Sequence, residues 1–402
     1  MEDTVFTVLG IGGSGCRMIS AMRRLPGAGR VRLLAVDTDR EDLEKCGLPP
    51  EQTFLAGEMW RQGLGCGGNV IDGQRAVSKN RREISDMIRG SKMLLIVGGL
   101  GGGTATGGTA ILLNEASKLH IPAMVMLSLP FSYEGENRRR QALAALNSDI
   151  SHIADAVIVL PNDLFYASLP ATTALESAFQ LSSDEMARTA LALSELLCSG
   201  NLLNADFASF AELLKRKKCL CSLGIGVSRT PDDPDTPEKI FSEMLSSPLL
   251  GGVSQLKEAD AVIFSLLGGP ELSIGAVQNI FGLGERYVRQ NAVVLTSAAT
   301  APEWSGMLQF SALAIQYDRS SGIAETASLA AAGKPLTPPQ NEDKDSLFGN
   351  IGVEQPVLPF ENVSKGIMES APRVMWNGED LDIPTCIRRN VVIDKGRSGR
   401  SS

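Results

Sequence analysis

The chain has 402 residues, a formal net charge of -8, and 43% hydrophobic against 21% charged residues, the composition of a soluble globular protein with room for two domains and a tail. The acidic balance excludes a nucleic-acid binder built on a concentrated basic surface, no apolar run reaches the roughly 18 to 20 residues of a membrane span, and no basic-then-apolar signal segment opens the chain, so a cytoplasmic location is expected. Seven irregularly spaced cysteines point to reduced thiols, and with two histidines in the chain a zinc site at Cys219-x-Cys221 is not expected.

Residues 5–9 read as a short apolar strand, followed by Gly10-Ile11-Gly12-Gly13-Ser14-Gly15 and a helical segment over 16–25. G-x-G-x-x-G between strand and helix is the dinucleotide fingerprint, and Asp37, at the end of a second strand over 31–36, stands near the distance expected of a ribose-binding carboxylate. An NAD-dependent Rossmann oxidoreductase is therefore one reading. A glycine cluster at 64–69 carries Gly67, Gly68 and Asn69, and taken alone is equally a turn between helices. Residues 74–87 mix charge with intermittent apolar positions, as a surface helix does. An apolar strand over 93–97 runs into Gly98-Gly99-Leu100-Gly101-Gly102-Gly103-Thr104-Ala105-Thr106-Gly107-Gly108, ahead of a helical segment over 109–119. A backbone with so few Cβ atoms wraps closely round a ligand, and consecutive N–H groups at a helix N-terminus make an anion site, so phosphate is the expected guest. A Rossmann site uses one such cradle; the second sets this chain against the dinucleotide reading, as does the lack of an evident proton-transfer residue.

A strand over 121–129 leads into Pro130-Phe131-Ser132-Tyr133-Glu134-Gly135, with Arg138 four residues after Glu134, also the spacing of a plain ion pair at a solvated helix start. A strand over 157–160 ends in Pro161-Asn162-Asp163. Strands alternating with helices over 1–172 predict a doubly wound parallel sheet with ligand at the strand C-termini. Residues 173–197 predict one long helix: Thr173 and Glu176 have capping-box spacing, Leu175, Phe179, Ser182, Met186, Ala190, Leu193 and Leu197 follow steps of three and four, and Gly200 ends it. Strands over 221–227, 261–267, 292–297 and 312–317, with helical segments over 238–245 and 274–288, predict a smaller α/β domain within 201–320. Residues 321–373 hold too little to build a core and read as a disordered linker. Residues 374–402 carry an acidic head, spaced apolar anchors and a basic end, which suit a segment that folds on a partner's groove.

Gly101 to Gly107, G-G-G-T-A-T-G, closely resembles the signature loop G-G-G-T-G-T-G of the tubulin/FtsZ family of GTP-binding filament proteins; Ala105 is tolerable if it keeps φ below zero. The resemblance continues in order. Residues 65–69 are similar to the family's loop over the terminal phosphate, 130–138 to P-F-x-F-E-G-x-x-R, and 160–163 to I-P-N-D. Residues 202–209 match L-x-N-x-D-F-A-D except that Ser209 replaces the last aspartate. Residues 246–250 and 268–273 match S-S-P-L-L and G-G-P-D-L-S, and 380–389 resemble the tail peptide D-L-D-I-P-x-F-L-R-R, with Cys386 for the aromatic.

The resemblance implies a Rossmann-like GTPase domain joined by a long central helix, 173–200, to a smaller α/β domain and a disordered tail. It implies GTP or GDP, with Mg²⁺ held through the nucleotide rather than by a protein-only site. The nucleotide would meet Gly12, Gly13, Ser14, Gly15, Cys16 and Arg17, then Gly67, Gly68 and Asn69, then Gly101, Gly102, Gly103, Thr104, Ala105, Thr106 and Gly107. Glu134 and Arg138 would take its ribose and base side, Asn162 and Ser183 the base edge, and Phe179 would stack on the base. Arg17 stands where the family has asparagine and Ser183 where it has aspartate or asparagine, with Asp184 one position later, so phosphate handling is better preserved than base reading. The resemblance further implies a head-to-tail homopolymer of the midcell division ring, in which Asn204 and Asp206 of loop 201–209 complete the neighbouring subunit's site. Loss of the second acid at Ser209 slows hydrolysis by something on the order of 10²-fold, which leaves an accessory filament with weak turnover as an alternative. Leu381, Asp382, Ile383, Pro384, Ile387 and Arg388 would bind membrane-tethering division proteins such as FtsA, with no nucleic acid and no direct membrane insertion.

Overall fold

The computed structural model describes residues 6–167, 169–170, 172–198, 210, 212–214, 219–231, 233, 235–317, 375–376 and 379–380. Its elements in chain order are β1 (Phe6–Ile11), α1 (Gly12–Met22), β2 (Arg32–Asp37), α2 (Arg40–Cys46), β3 (Thr53–Leu55), α3 (Glu58–Arg61), α4 (Val70–Lys79), α5 (Arg81–Ile88), β4 (Met93–Gly99) and α6 (Gly103–Lys118). There follow β5 (Ala123–Leu129), α7 (Glu136–Ala145), α8 (Ser151–Ile153), β6 (Ala156–Pro161), α9 (Asn162–Ala167) and the 24-residue α10 (Leu175–Cys198). After α10 come β7 (Cys219–Ser228), α11 (Thr236–Leu245), α12 (Val253–Glu258), β8 (Ala261–Gly268), α13 (Ile274–Glu285), β9 (Val293–Thr300) and β10 (Leu308–Tyr317).

The strands make one mixed sheet of ten, in the order β3-β2-β1-β4-β5-β6-β7-β10-β8-β9, all parallel except β10, which runs antiparallel to both neighbours. β1, β5 and β6 are buried along their whole length, as near-continuous apolar runs covered on both faces require. The strands expected of a smaller second domain continue this sheet, because β7 pairs with β6 through Ala156–Cys219, Val157–Leu220 and Ile158–Cys221. α10 ties the two halves: Met186, Ala190, Leu193 and Leu196 share a core with Phe6 and Val8 of β1, Met18 and Met22 of α1, and Leu223, Ile263 and Leu313 of the later strands. The sheet's other face packs under α4, α5 and α6 through Leu9, Ile11, Ile96, Ala76, Ile84 and Leu112.

Three local expectations differ. Residues 74–87 are two helices, because Asn80 leaves the helical path and its Oδ1 accepts the Gly57 N–H at 3.0 Å. α10 starts with the Ala178 N–H on the Ala174 carbonyl, so Thr173 stands one residue too early for the expected capping box. The glycine segments read as loops are themselves the first turns of α1 and α6. The second unit, 338–402, has in its described residues a two-stranded antiparallel pairing of Met375 with Asp380 and Trp376 with Glu379. The linker 321–373, loop 201–209 and the tail residues 381–388 lie outside the described residues.

Candidate functional site

In an open α/β sheet the ligand crevice lies beyond the strand C-termini where the strand order reverses, here between β1 and β4. A cavity of about 790 Å³ opens there, lined by the starts of α1 and α6, the segment after β2, the loop before α4, the ends of β5 and β6, and the first turns of α10. Both helices begin unassisted. The N-cap residues Ile11 and Gly102 give no side-chain hydrogen bond, and neither first turn holds an acid. The neighbouring helices are closed by their own side chains: Asp39 accepts from the Glu41 N–H, and Asn69 from the N–H groups of Ile71 and Asp72. Two helices thus bring unpaired N–H groups and their positive dipole ends to one cavity, the physical requirement for binding phosphate.

Glycine is needed here for two reasons. Gly12 and Gly101 have φ of +72° and +99°, which L side chains rarely adopt. Elsewhere the backbones touch: a Cβ on Gly73 would lie 2.1 Å from the Gly103 carbonyl oxygen, and one on Gly107 2.2 Å from that of Val70, so α4 and α6 cross with no side chain between them. Ala105 lies in the first turn of α6 with φ below zero, buried and 3.4 Å from where a Gly12 Cβ would stand. Thr106 Oγ1 accepts the Gly101 N–H at 2.8 Å, and Thr104 Oγ1 meets Thr38 Oγ1 at 2.8 Å.

The floor beside Thr104 holds Asp37, 2% exposed. Its Oδ1 accepts the Thr38 N–H at 2.7 Å, while Oδ2 has no hydrogen-bond partner of normal geometry. Burial raises its pKa to about 6 against the partial relief of the Thr38 amide and the Thr104 hydroxyl. Asp42, whose carboxylate lies against Gly13, is also raised, by burial and then by the charge of Asp39. At the other end, Phe179 packs edge-on against Phe131 with ring centroids 5.2 Å apart. Glu134 joins its Oε1 to the Phe131 N–H and its Oε2 to Arg138, each at 2.9 Å. The Ser182 hydroxyl donates to Asn162 Oδ1 at 3.2 Å, and that of Ser183 to the Phe179 carbonyl at 2.9 Å. Among the described residues no group of three or more His, Cys, Asp or Glu is placed to hold a metal ion, and no helix is long and apolar enough to cross a membrane.

Residues 5–170 match the GTPase domain of the tubulin/FtsZ family. Similarity extends further, with 24% identity to the cell division protein FtsZ of Pseudomonas aeruginosa across 96% of this chain and 97% of that protein. The chain is similar to the tubulin/FtsZ family along nearly its whole length. The FtsZ of Haloferax mediterranei is 29% identical over 76% of this chain and 78% of its own. Among solved structures, an empty FtsZ dimer of M. jannaschii superposes with a TM-score of 0.69 at 25% identity, covering 78% of this chain and 88% of that one. A GDP-bound CetZ1 monomer of Haloferax volcanii gives 0.67 at 19% identity over 82% and 99%, a likeness of fold.

A tubulin/FtsZ-family GTPase domain implies GTP and GDP as ligands. The residues present fit a nucleotide's phosphates: beyond the two uncapped helices, Cβ positions at Gly67, Gly68 and Gly102 would meet nothing within 4 Å. The cavity brings together Gly12, Gly13, Ser14, Arg17, Gly67, Gly68, Gly102, Gly103, Thr104, Ala105, Glu134, Arg138, Asn162, Phe179 and Ser183. It does not bring in six others named from the sequence. Gly15 lies in the packing, where a Cβ would stand 2.7 Å from the Val97 carbonyl oxygen, and Gly107 packs on α4. Cys16 is in the core, its thiol pushed up by a hydrogen bond with Cys46 and by burial. Asn69 spends its side-chain oxygen on the α4 cap, while Gly101 and Thr106 tie the loop to itself. Asn204 and Asp206 lie outside the described residues. The sequence reading missed Thr38, Asp39, Asp42, Cys66, Leu100, Ser128, Leu175 and Glu176, and weighed Asp37 only for a dinucleotide. Residues 37–42, D-T-D-R-E-D at the C-terminus of a strand beside β1, carried a usable signal.

Proposed function

We propose that this protein is a GTP-binding, GTP-hydrolysing subunit that assembles head-to-tail into filaments of the cell division ring. The observation that carries the reading is the pair of helix N-termini without side-chain caps at one cavity, in a segment that matches this family's GTPase domain. The β- and terminal phosphates would lie on α1 and α6 beneath Gly67 and Gly68, and the base against Phe179. Mg²⁺, held mainly by the phosphates, would neutralise the acidic flank of Asp37, Asp39 and Asp42 and shield the charge that develops as the terminal phosphate leaves. Support for a polymer comes from relatives: the CetZ2 structure of Haloferax volcanii is a GTPγS-bound protofilament. A contact that repeats without closing makes a filament, and in it Asn204 and Asp206 of one subunit would orient water in the next. Residues 1–172, 173–200 and 201–320 would act as nucleotide domain, connecting helix and activating domain. Leu381 to Arg388 would dock on membrane-tethering division proteins such as FtsA, placing a cytoplasmic filament at midcell.

The test is sedimentation of the purified chain with Mg²⁺ and GTP, GDP, ATP or NAD, with released phosphate assayed in the same tubes. A pellet with GTP together with phosphate release supports the reading. A GTP pellet without phosphate makes the chain a slow or accessory filament, and Ser209→Asp should then raise turnover. Binding of NAD alone, with no pellet, overturns the reading.

A further inference from the structure

The wall around Phe179 shows which features of a base the cavity can read, and this inference rests on the nucleotide reading above. It is built where β6 turns into α9 and where α10 begins, from Asn162, Phe179, Ser182 and Ser183. Asn162 is 6% exposed and its Oδ1 already accepts the Ser182 hydroxyl, so the Nδ2 hydrogens are what it offers a ligand. Ser183, 4% exposed, donates its hydroxyl proton to the Phe179 carbonyl, so it offers only lone pairs. Its buried side chains therefore present one neutral donor and one neutral acceptor; Gln180 also lines the cavity but is solvent-exposed, with its Nε2 on Asp184.

Carboxylates close by are engaged elsewhere. Asp163 accepts the Ser132 N–H at 3.0 Å and pairs with Arg139 at 3.4 Å, and Glu134 is taken by Phe131 and Arg138. Asp184, next to Ser183, accepts from Gln180 Nε2 at 2.8 Å, lies 3.9 Å from Arg24 and does not line the cavity. Glu176 lines it but is solvent-exposed, two turns before Ser183 on α10. Guanine presents O6 as an acceptor and N1–H and the 2-amino group as adjacent donors. One amide donor and one hydroxyl acceptor satisfy O6 and N1–H and leave nothing for the 2-amino group. Hypoxanthine has the same O6 and N1–H and lacks only that amine.

We propose that this site does not read the 2-amino group of guanine and takes inosine nucleotides as well as guanosine nucleotides, with Ser183 the residue that sets this breadth. The guanine amine stays at the open edge, where water serves it equally in both states, so it gives no discrimination. A site hydrogen-bonded to a substrate group discriminates strongly against the analogue lacking it, and this wall has no group so placed.

The experiment is equilibrium dialysis of the full chain against GDP, IDP and pyrophosphate, whose binding reports the phosphate cradle alone. GDP and IDP should bind within about threefold of each other, and Ser183→Asp should hold GDP at least about tenfold more tightly than IDP while leaving pyrophosphate unchanged. Ser183→Ala, a smaller change that keeps the fold if aspartate does not, should weaken GDP and IDP by the same factor. A wild-type preference for GDP of more than about tenfold overturns the proposal, and its disappearance in Glu176→Gln would show which carboxylate reads the amine. If pyrophosphate binds and neither nucleotide does, the base wall has been misread; if nothing binds, the nucleotide reading falls with it.

Discussion

The two ends of the cavity are made of different material. The phosphate end is backbone: two helix starts, positive-φ glycines, and helices α4 and α6 crossing at van der Waals contact. The base end is side chains on a preformed surface, Asn162, Phe179 and Ser183, each replaceable without moving a helix axis. The departure from the family's usual residue at Ser183 falls at the second kind of site, whereas Arg17 lies on α1 and donates to Ser14 Oγ at 3.0 Å. The departure at Ala105 is accommodated at the first only because that residue is helical rather than left-handed. Recognition built from the main chain resists single substitutions; recognition built from side chains invites them.

The largest effect is expected of Gly73→Ala. The added Cβ meets the Gly103 backbone with no flexible atom to yield, so α6 must shift; overpacking of this kind costs about 1 to 3 kcal/mol or more. GDP and pyrophosphate affinity should both fall on the order of 100-fold, the effect of displacing positioning groups by an ångström. Dialysis and chemical denaturation check the two effects separately.

Next in size is a pH effect confined to the phosphate end. Asp37 has its pKa raised to about 6, so the folded state holds the proton more tightly than the unfolded chain. Its linked stability is complete below the ordinary aspartate range and is lost as pH rises through about 6, a loss of about 2 to 3 kcal/mol. Asp37→Asn should therefore be more stable than the parent at pH 7.5 by roughly 1 to 2 kcal/mol, and its stability should fall less steeply between pH 5 and 7. Glu195 of α10, raised to about 7 mainly by burial, acts in the same direction and supplies part of the slope that remains, which Glu195→Gln should reduce. Denaturant midpoints across pH 5 to 8 measure both, and a D37N slope equal to the parent's would contradict the assignment to Asp37.

Phe179→Ala should weaken GDP about tenfold and leave pyrophosphate alone, the worth of one base–aromatic stack. Equal loss of both ligands would mean that Phe179 supports the cradle rather than the base. The smallest effect is expected of Ala105→Gly, which restores the family's usual residue. It should cost up to about 1 kcal/mol in helix propensity and leave GDP affinity unchanged.

What the sequence made legible follows the same division. The long elements and the ordered glycine motifs were readable because buried parallel strands are continuous apolar runs and positive-φ turns demand glycine. The individual duties of residues within a motif were not. Asn69 looks like a ligand group and is an N-cap, Cys16 sits beside the cradle and faces the core, and Gly15 and Gly107 are there for packing. A motif fixes which residues are near one another, whereas the side-chain direction that separates ligand from cap depends on where the helix begins. Joining of the halves into one sheet was equally hidden, since nothing within residues 219–228 names β6 as their neighbour.

That join bears on the order in which the protein is made. All pairings among β1 to β6, the long β1–β4 crossover included, are available once Pro161 has been made, so the strands bearing the phosphate cradle can settle before β7 leaves the ribosome. β7 is different: it meets β6 at three positions, and its full-length partner, β10, is synthesised about ninety residues later. The nascent chain thus carries a nearly finished cradle while the half that would act on the next subunit still lacks its central strand pair, so competence to bind would come before any competence to assemble.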